Sequence, residues 1–474
     1  MNVHEVSGQN SVDNVFYEID CTLHFTDREL KKIKKFLDPP KVLVLGFLTI
    51  SLIGTFLLSL PYATVDGKGL SFLNALFTST SAACVNGLVV VDTGTTFTLF
   101  GQLVILSLIQ LGGLGFMTFA TFLAVLLGKR ISLKERLLLR ESTNSSSISG
   151  VVTLTKRIIL FSVTIEIVGA ILLAFRFAAE MPIGKAIYYG VFHSISNFNN
   201  AGFDLTGGFK SLALYAEDPI VNLTVCALIT VGGIGFIVLN EVFEYRETRR
   251  LSLHTKVVLA TSFVLTFGGT IFILLLEFGN PKTLQPLSYS GKVLAALFQS
   301  VTTRSTGSST LNIPDLSQST LFLLIFLMFI GASPGSAGGG IKTTTFATLL
   351  GAVWSQIKGR EDVVFFRQCI PFDTIYKALT ITISGLFFVI ILTMLLTITE
   401  SGKDFLMIFF EAVSASSDVG LSMGLTPELS PVGRILIIFA MFAGRVGPLT
   451  IAYAVATREK PNAFRYPKGK IMIG

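Results

Sequence analysis

Apolar and polar positions alternate on a long scale in this chain. Six runs carry no charge at all: 42–60, 100–128, 219–240, 257–276, 320–341 and 378–398. Two more hold one charge each, 158–173 with Glu166 and 435–456 with Arg445. Each meets or approaches the ~20 residues a helix needs to cross a bilayer, so the pattern predicts eight spans. Between the members of each successive pair lies a second apolar segment, too short to cross. These read "GLSFLNALFTSTSAACVNGLVV" (69–90), "GKAIYYGVFHSISNFNNAGFDL" (184–205), "GKVLAALFQSVTTRSTGSSTL" (291–311) and "GKDFLMIFFEAVSASSDVGLSM" (402–423).

The four short segments share a template. Each opens on a glycine 18, 18, 16 and 18 residues before a second glycine, respectively Gly87, Gly202, Gly307 and Gly420. Phe77, Phe192, Phe298 and Phe410 precede that second glycine by ten, ten, nine and ten residues. A repeat of this kind decides the fold. The predicted fold class is an all-α membrane protein of eight transmembrane helices plus four re-entrant pore half-helices, four repeats around one pseudo-fourfold pore. The competing reading lays the short segments on the outer membrane surface; four copies in register ending in a turn glycine argue against it.

Charge adds the topology. The N-terminal segment, alternate connections and the tail hold 26 Lys and Arg, the intervening connections nine. By the positive-inside rule the richer set, with both termini, is cytoplasmic. The expected organisation is a cytoplasmic N-terminal segment 1–41, pore repeat A 42–128, a cytoplasmic loop 129–157, repeat B 158–245, repeat C 246–352, a cytoplasmic loop 353–377, repeat D 378–457 and a cytoplasmic tail 458–474. The net charge of +7 is thereby assigned to topology, with no nucleic acid as partner. Only 14 % of residues are charged and mean hydropathy is +0.69, against roughly a quarter charged in soluble domains. The basic N-terminal cluster is not followed by a signal-peptide cleavage pattern. Cys21, Cys84, Cys226 and Cys369 are scattered, without metal or disulfide spacing.

Non-helical backbone at membrane depth survives only where protein or water covers it. Four half-helices around one axis meet that condition, with their partly negative C-terminal ends favouring a cation. Strand carbonyls then replace the ion's hydration shell, and glycine supplies the positive φ that aims them.

The second span of each repeat carries glycines beyond this point: "LGGLGF", "VGGIGF", "IGASPGSAGGGIK" and "FAGRVGPL". In the first two, small residues point to close helix packing. In the third, five glycines, a proline and four Ala or Ser residues fill 331–340. Helix is unfavourable there, at ~3 kcal/mol for proline and ~1 for each glycine. Gly335, Ser336, Gly338, Gly339 and Gly340 are therefore expected to form an intramembrane gate loop with Lys342 and Arg445. A charge in mid-span is usually functional. Arg445 is read as a positive charge beneath the filter that contacts this loop, the alternative being a structural ion pair with Glu411 or Glu166. Lys342 either belongs to the loop or snorkels to the cytoplasmic surface. Arg304 is read as bracing the third strand and His193 as a structural histidine.

The repeat template, "NAGF" (200–203), "SPGSAGGGIKTTT" (333–345), "FAGRVGPLT" (442–450) and the ending "RYPKGKIMIG" resemble the Ktr/Trk/HKT superfamily of potassium transporters over residues 40–474. The tail and the eight spans are most similar to the Ktr potassium-uptake membrane subunit. The resemblance implies potassium ion uptake across the plasma membrane through a four-loop selectivity filter. The filter carbonyls it implies are those of Val85, Asn86 and Gly87; Asn200, Ala201 and Gly202; Ser305, Thr306 and Gly307; and Asp418, Val419 and Gly420. In the family, serine replacing the first-loop glycine goes with sodium transport; here position 87 is glycine. Asp418 and Ser308 depart from the family pattern, which keeps open a sodium-conducting or poorly selective monovalent cation transporter. Asp418 either draws cations to the mouth or turns away to pair with a cationic side chain. By the same resemblance the subunit is a homodimer in membrane lipid on a separate cytosolic nucleotide-binding regulatory subunit. No cofactor is expected, potassium being the transported ligand, and no metal beyond a monovalent cation at the filter. An enzyme is not expected: "GSAG" misplaces its serine for a nucleophile elbow. A carrier of organic solutes more often shows two repeats than four.

Overall fold

The structure is a computed structural model that describes residues 39–115 and 151–447. Most of the expected N-terminal segment, the first part of loop 129–157 and the tail with "RYPKGKIMIG" lie outside the described residues.

The described residues are mostly helical. Helix α1 (Pro39–Leu58) leads to a short helix α2 (Phe72–Cys84) and to α3 (Leu99–Leu114). The second repeat has α4 (Val151–Phe177), α5 (Ile183–Phe198), α6 (Pro219–Ile234) and α7 (Phe236–Thr248). The third has α8 (Leu253–Glu277), α9 (Tyr289–Thr302), α10 (Gln318–Ile330) and α11 (Thr343–Ile357). The fourth has α12 (Phe372–Thr399), α13 (Phe405–Ser416) and α14 (Pro431–Val446). The order long helix, short helix, second helix thus recurs four times. Helices α4, α8 and α12 start before their apolar runs do. At α8 the Ser252 side chain accepts from the Thr255 N–H as a cap.

Among the described residues four helices are long and apolar enough to cross a membrane, α1, α4, α8 and α12, or five if the bent pair α6 and α7 counts as one span. Each of the four is the first of its repeat. The second helices were expected to run unbroken except in the third repeat, and they do not. All four stop at a glycine of positive φ: Gly115, Gly235, Gly331 and Gly447, at 79°, 103°, 57° and 88°. At Gly235 the chain turns by 100° into α7. Tertiary contact enforces that break, because a Cβ on Gly235 would lie 2.5 Å from the Pro334 carbonyl oxygen.

The core lies on the short helices. Phe77, Phe192, Phe298 and Phe410, the template phenylalanines, are all completely buried. In three repeats a serine of the short helix locks it to the first helix. Ser79, Ser194 and Ser300 donate to the carbonyls of Ser51, Glu166 and Thr266 at 2.7, 2.7 and 2.8 Å. Three residues further on, Gly54, Gly169 and Gly269 give those hydroxyls room. The fourth short helix has the buried Ala412 at this place, with no hydroxyl to donate.

One element was not foreseen. Between α11 and α12, β1 (Val364–Phe365) and β2 (Gln368–Cys369) form an antiparallel hairpin, Val364 opposite Cys369. Its two turn residues, Phe366 and Arg367, have φ of 47° and 66°, the geometry of a type I′ turn.

Candidate functional site

The segments after the four short helices meet, and they meet in cyclic order. A Cβ added to Gly87 would lie 2.5 Å from the carbonyl oxygen of Ala201, and one on Gly202 only 1.8 Å from that of Thr306. From Gly307 it would lie 2.6 Å from the Val419 oxygen, and from Gly420 2.2 Å from the Asn86 oxygen. Each glycine therefore faces the carbonyl just before the next repeat's glycine, and the fourth returns to the first. Their φ values are 98°, 67°, 80° and 87°, a region closed to most side chains. The ring brings together eight of the twelve residues expected in the filter, each glycine and the residue before it; Val85, Asn200, Ser305 and Asp418 precede them in the chain.

Local geometry explains how helix becomes strand. Asn86, Ala201 and Val419 donate their N–H to the carbonyls of Ser81, Ser196 and Ser414 at 2.8, 2.7 and 3.0 Å. This six-to-one bond closes a helix end when the residue before it is left-handed. That residue is Val85, Asn200 or Asp418, with φ of 61°, 62° and 51°. In the third repeat Thr306 bonds instead to Thr302 at 3.0 Å, and Ser305 is not left-handed. The three regular C-terminal ends and this irregular one all lead directly into the ring.

Beneath the ring runs the non-helical segment between α10 and α11. It is held from several sides. Ser333 and Ala337 donate to the carbonyls of Gly233 and Gly232 at 3.0 and 3.2 Å, and Phe236 donates to Gly335 at 2.9 Å. The N–H of Gly339 donates to Ser305 Oγ at 3.2 Å, and Ser336 Oγ to the Ser333 carbonyl at 2.6 Å. Gly340, at φ 72°, packs on the Gly331 backbone. Lys342 does not snorkel: its Nζ folds back onto the carbonyls of Gly338 and Gly339 at 2.7 and 3.4 Å.

Arg445 makes no ion pair with Glu411 or Glu166, which have other partners. Its guanidinium donates to the carbonyl of Ala337 in the loop and to that of Gly112 at the end of α3. Its fork spans two backbones at once, a use lysine could not reproduce. Glu411 accepts from Ser422 and Thr426 in the outer connection.

Asp418 pairs with no cationic side chain among the described residues. Its side chain is fully buried and turns inward, with Oδ1 accepting from Asn86 Nδ2 at 3.2 Å. Its Oδ2 has no hydrogen-bond partner among the described residues and faces Gly339 of the loop. Ser308 Oγ donates a hydrogen bond to Asn197 Oδ1 at 2.7 Å. Arg304 is 8 % exposed, and its Nε finds no partner among the described residues. His193 is buried, with Nδ1 on the Tyr189 carbonyl at 2.8 Å, as a structural histidine should be.

Sequence reasoning missed the side chains behind the second strand. Asn199, Gln110 and Glu166 form one buried hydrogen-bonded group. The signal was a polar residue three before Gly202 and a carboxylate inside an apolar run, weighed then only as a partner for Arg445.

The family description TrkH, cation transport protein, matches residues 15–466. The chain is 44 % identical over 436 residues to "Ktr system potassium uptake protein B" of Bacillus subtilis, covering 92 % of this chain and 97 % of that one. It is 37 % identical over 452 residues to "Potassium/sodium uptake protein NtpJ" of Enterococcus hirae, covering 94 % and 99 %. The fold is similar to the crystal structure of the potassium transporter TrkH from Vibrio parahaemolyticus. There the TM-score is 0.70 at 18 % identity, over 89 % of this chain and 85 % of that one.

Proposed function

The chain belongs to the TrkH family of cation transport proteins, and from that premise we propose that it takes up potassium across the plasma membrane through a four-strand filter. The observation that carries this reading is the cyclic closure of Gly87, Gly202, Gly307 and Gly420 onto one another's neighbouring carbonyls. A bare monovalent cation is the ligand such a carbonyl ring suits. Eight spans and four re-entrant half-helices surround the pore, with both termini cytoplasmic. The first helices supply four spans by length and composition, and the broken second helices line the inner side.

The segment 331–342 is the gate in this reading. It lies against the ring at Ser305 and Asp418 and is pinned by Arg445 and Lys342, two positive charges that oppose a cation below the filter. Transport rather than catalysis is the activity, potassium the only ligand, and no cofactor takes part. The subunit works as a homodimer on a separate cytosolic regulatory subunit that docks on the basic cytoplasmic loops.

Sodium conduction is the second reading. It is favoured by the inward carboxylate of Asp418 and by Ser308, where the third strand gains a hydroxyl in place of an aromatic. Uptake of rubidium and sodium in cells lacking their own potassium transporters separates the two. Wild type should restore rubidium uptake in preference to sodium, and Gly87→Ser should shift the preference toward sodium. A wild type that restores no uptake defeats the proposal.

A further inference from the structure

A carboxylate inside an apolar spanning helix is costly and is kept where it does something. Glu166 of α4 is 6 % exposed, and no basic side chain pairs with it among the described residues. Its Oε1 accepts from Asn199 Nδ2 at 3.0 Å and its Oε2 from Gln110 Nε2 at 3.2 Å. Asn199 Nδ2 also reaches Gln110 Oε1 at 2.8 Å and the Ile195 carbonyl at 2.9 Å. Three side chains from α3, α4 and the end of α5 therefore close a triangle across two repeats.

We infer that Glu166 is a positioning residue for the second filter strand, acting through Asn199; the inference rests on the filter reading above. Asn199 is the hinge between α5 and the strand, immediately before the left-handed Asn200. Both oxygens of Glu166 accept, so the side chain fixes which way both amides face. The hinge has no slack, because a Cβ on Gly113 would lie 2.1 Å from Asn199 Oδ1 and 2.6 Å from its Cβ. Gly112, next in the chain, gives its carbonyl to Arg445. The triangle thus anchors the second strand to the same turn of α3 that Arg445 ties to the loop 331–342. The other repeats lack the device: Cys84, Arg304 and Ser417 stand three residues before their glycines, and Ser51 and Thr266 occupy the place of Glu166.

The test uses the purified full-length protein in liposomes, reading the ratio of rubidium to sodium uptake together with melting temperature. Glu166→Gln replaces one acceptor by a donor, and Asn199→Asp sets two carboxylates face to face. Each should lower the ratio by about tenfold, the scale of one charge-assisted hydrogen bond. The double variant Glu166→Gln/Asn199→Asp exchanges donor and acceptor across their shared contact and should recover part of the ratio relative to the worse single, the bond to the Ile195 carbonyl staying lost. The inference is overturned if single variants keep the wild-type ratio, if they lower only the melting temperature, or if the double is no better than the worse single. Gly87→Ser in the same assay separates the two readings. If it leaves the ratio unchanged, the filter assignment itself fails; if it shifts the ratio while the Glu166 variants do not, only this inference does.

Discussion

Ser305 Oγ accepts the N–H of Gly339 at 3.2 Å, so one hydroxyl joins a strand of the carbonyl ring to the segment that runs beneath it. A Cβ on Gly338 would lie 2.1 Å from the same oxygen, which shows how closely the two backbones pass. Ser305→Ala removes the acceptor without adding bulk. It should free the segment on that side and raise rubidium uptake per transporter about two- to fivefold, the effect of one neutral hydrogen bond. Uptake normalised to the amount of membrane-inserted protein checks this; an unchanged rate would mean the bond does not restrain the segment.

Arg445 restrains it from the other side. Arg445→Gln loses the charge and one arm of the fork that spans Ala337 and Gly112. Hydrogen bonds to charged groups contribute ~1.5–3 kcal/mol, so basal rubidium flux should rise about tenfold or more. Arg445→Lys, which keeps the charge but not the fork, should fall between. Equal flux in all three proteins would remove Arg445 from the gate.

The four ring glycines should not tolerate alanine equally. Gly202 is the tightest, with the Thr306 oxygen 1.8 Å from an added Cβ, against 2.5 Å and 2.6 Å at Gly87 and Gly307. The left-handed backbone alone costs an alanine ~1–2 kcal/mol, and the clash adds to it. Gly202→Ala should therefore abolish potassium uptake, with Gly87→Ala the mildest of these three, because its Cβ would meet one backbone atom within 3.0 Å where that of Gly307→Ala would meet three. Growth of a potassium-uptake-deficient strain at graded external potassium would rank them.

Asp418 places a carboxylate oxygen without a hydrogen-bond partner between ring and loop. Asp418→Asn preserves the shape and lets its amide oxygen keep the bond from Asn86 Nδ2. What it removes is a negative charge whose field concentrates cations. The half-saturating rubidium concentration should rise several-fold with little change in maximal rate. A fall in maximal rate alone would instead make Asp418 a structural residue.

Two neighbouring glycines of α8 give opposite expectations. A Cβ on Gly269 would lie 2.4 Å from Ser300 Oγ, whereas one on Gly268 meets nothing within 4 Å. Gly269→Ala should cost about 1 kcal/mol or more by displacing the Ser300 bond to Thr266, while Gly268→Ala should gain ~0.5–1 kcal/mol from helix preference. Melting in detergent reads both signs.

The repeat was legible because its marks are local: a phenylalanine to bury, a glycine to turn, a fixed spacing between them. The breaks at Gly115, Gly235 and Gly447 were not, because an isolated glycine is tolerated in a helix and only a neighbour decides its φ. At Gly235 that neighbour is Pro334, about a hundred residues away in sequence. The hairpin at 364–369 escaped notice because Phe366 and Arg367 occupy turn positions that usually signal themselves with asparagine and glycine. Asn199 and Glu166 were visible as residue types; their relationship depends on a third element, α3, that no spacing reveals.

The contact between Gly420 and the Asn86 carbonyl joins the last quarter of the ring to the first. During synthesis that contact is the last to become available. Until residue 420 has left the ribosome, the strands of the first and third quarters each lack one neighbour. Contacts so distant in sequence form slowly. A nascent chain stopped before the fourth repeat should thus be leaky or quickly degraded, and the interval before closure is when this protein is most exposed to quality control.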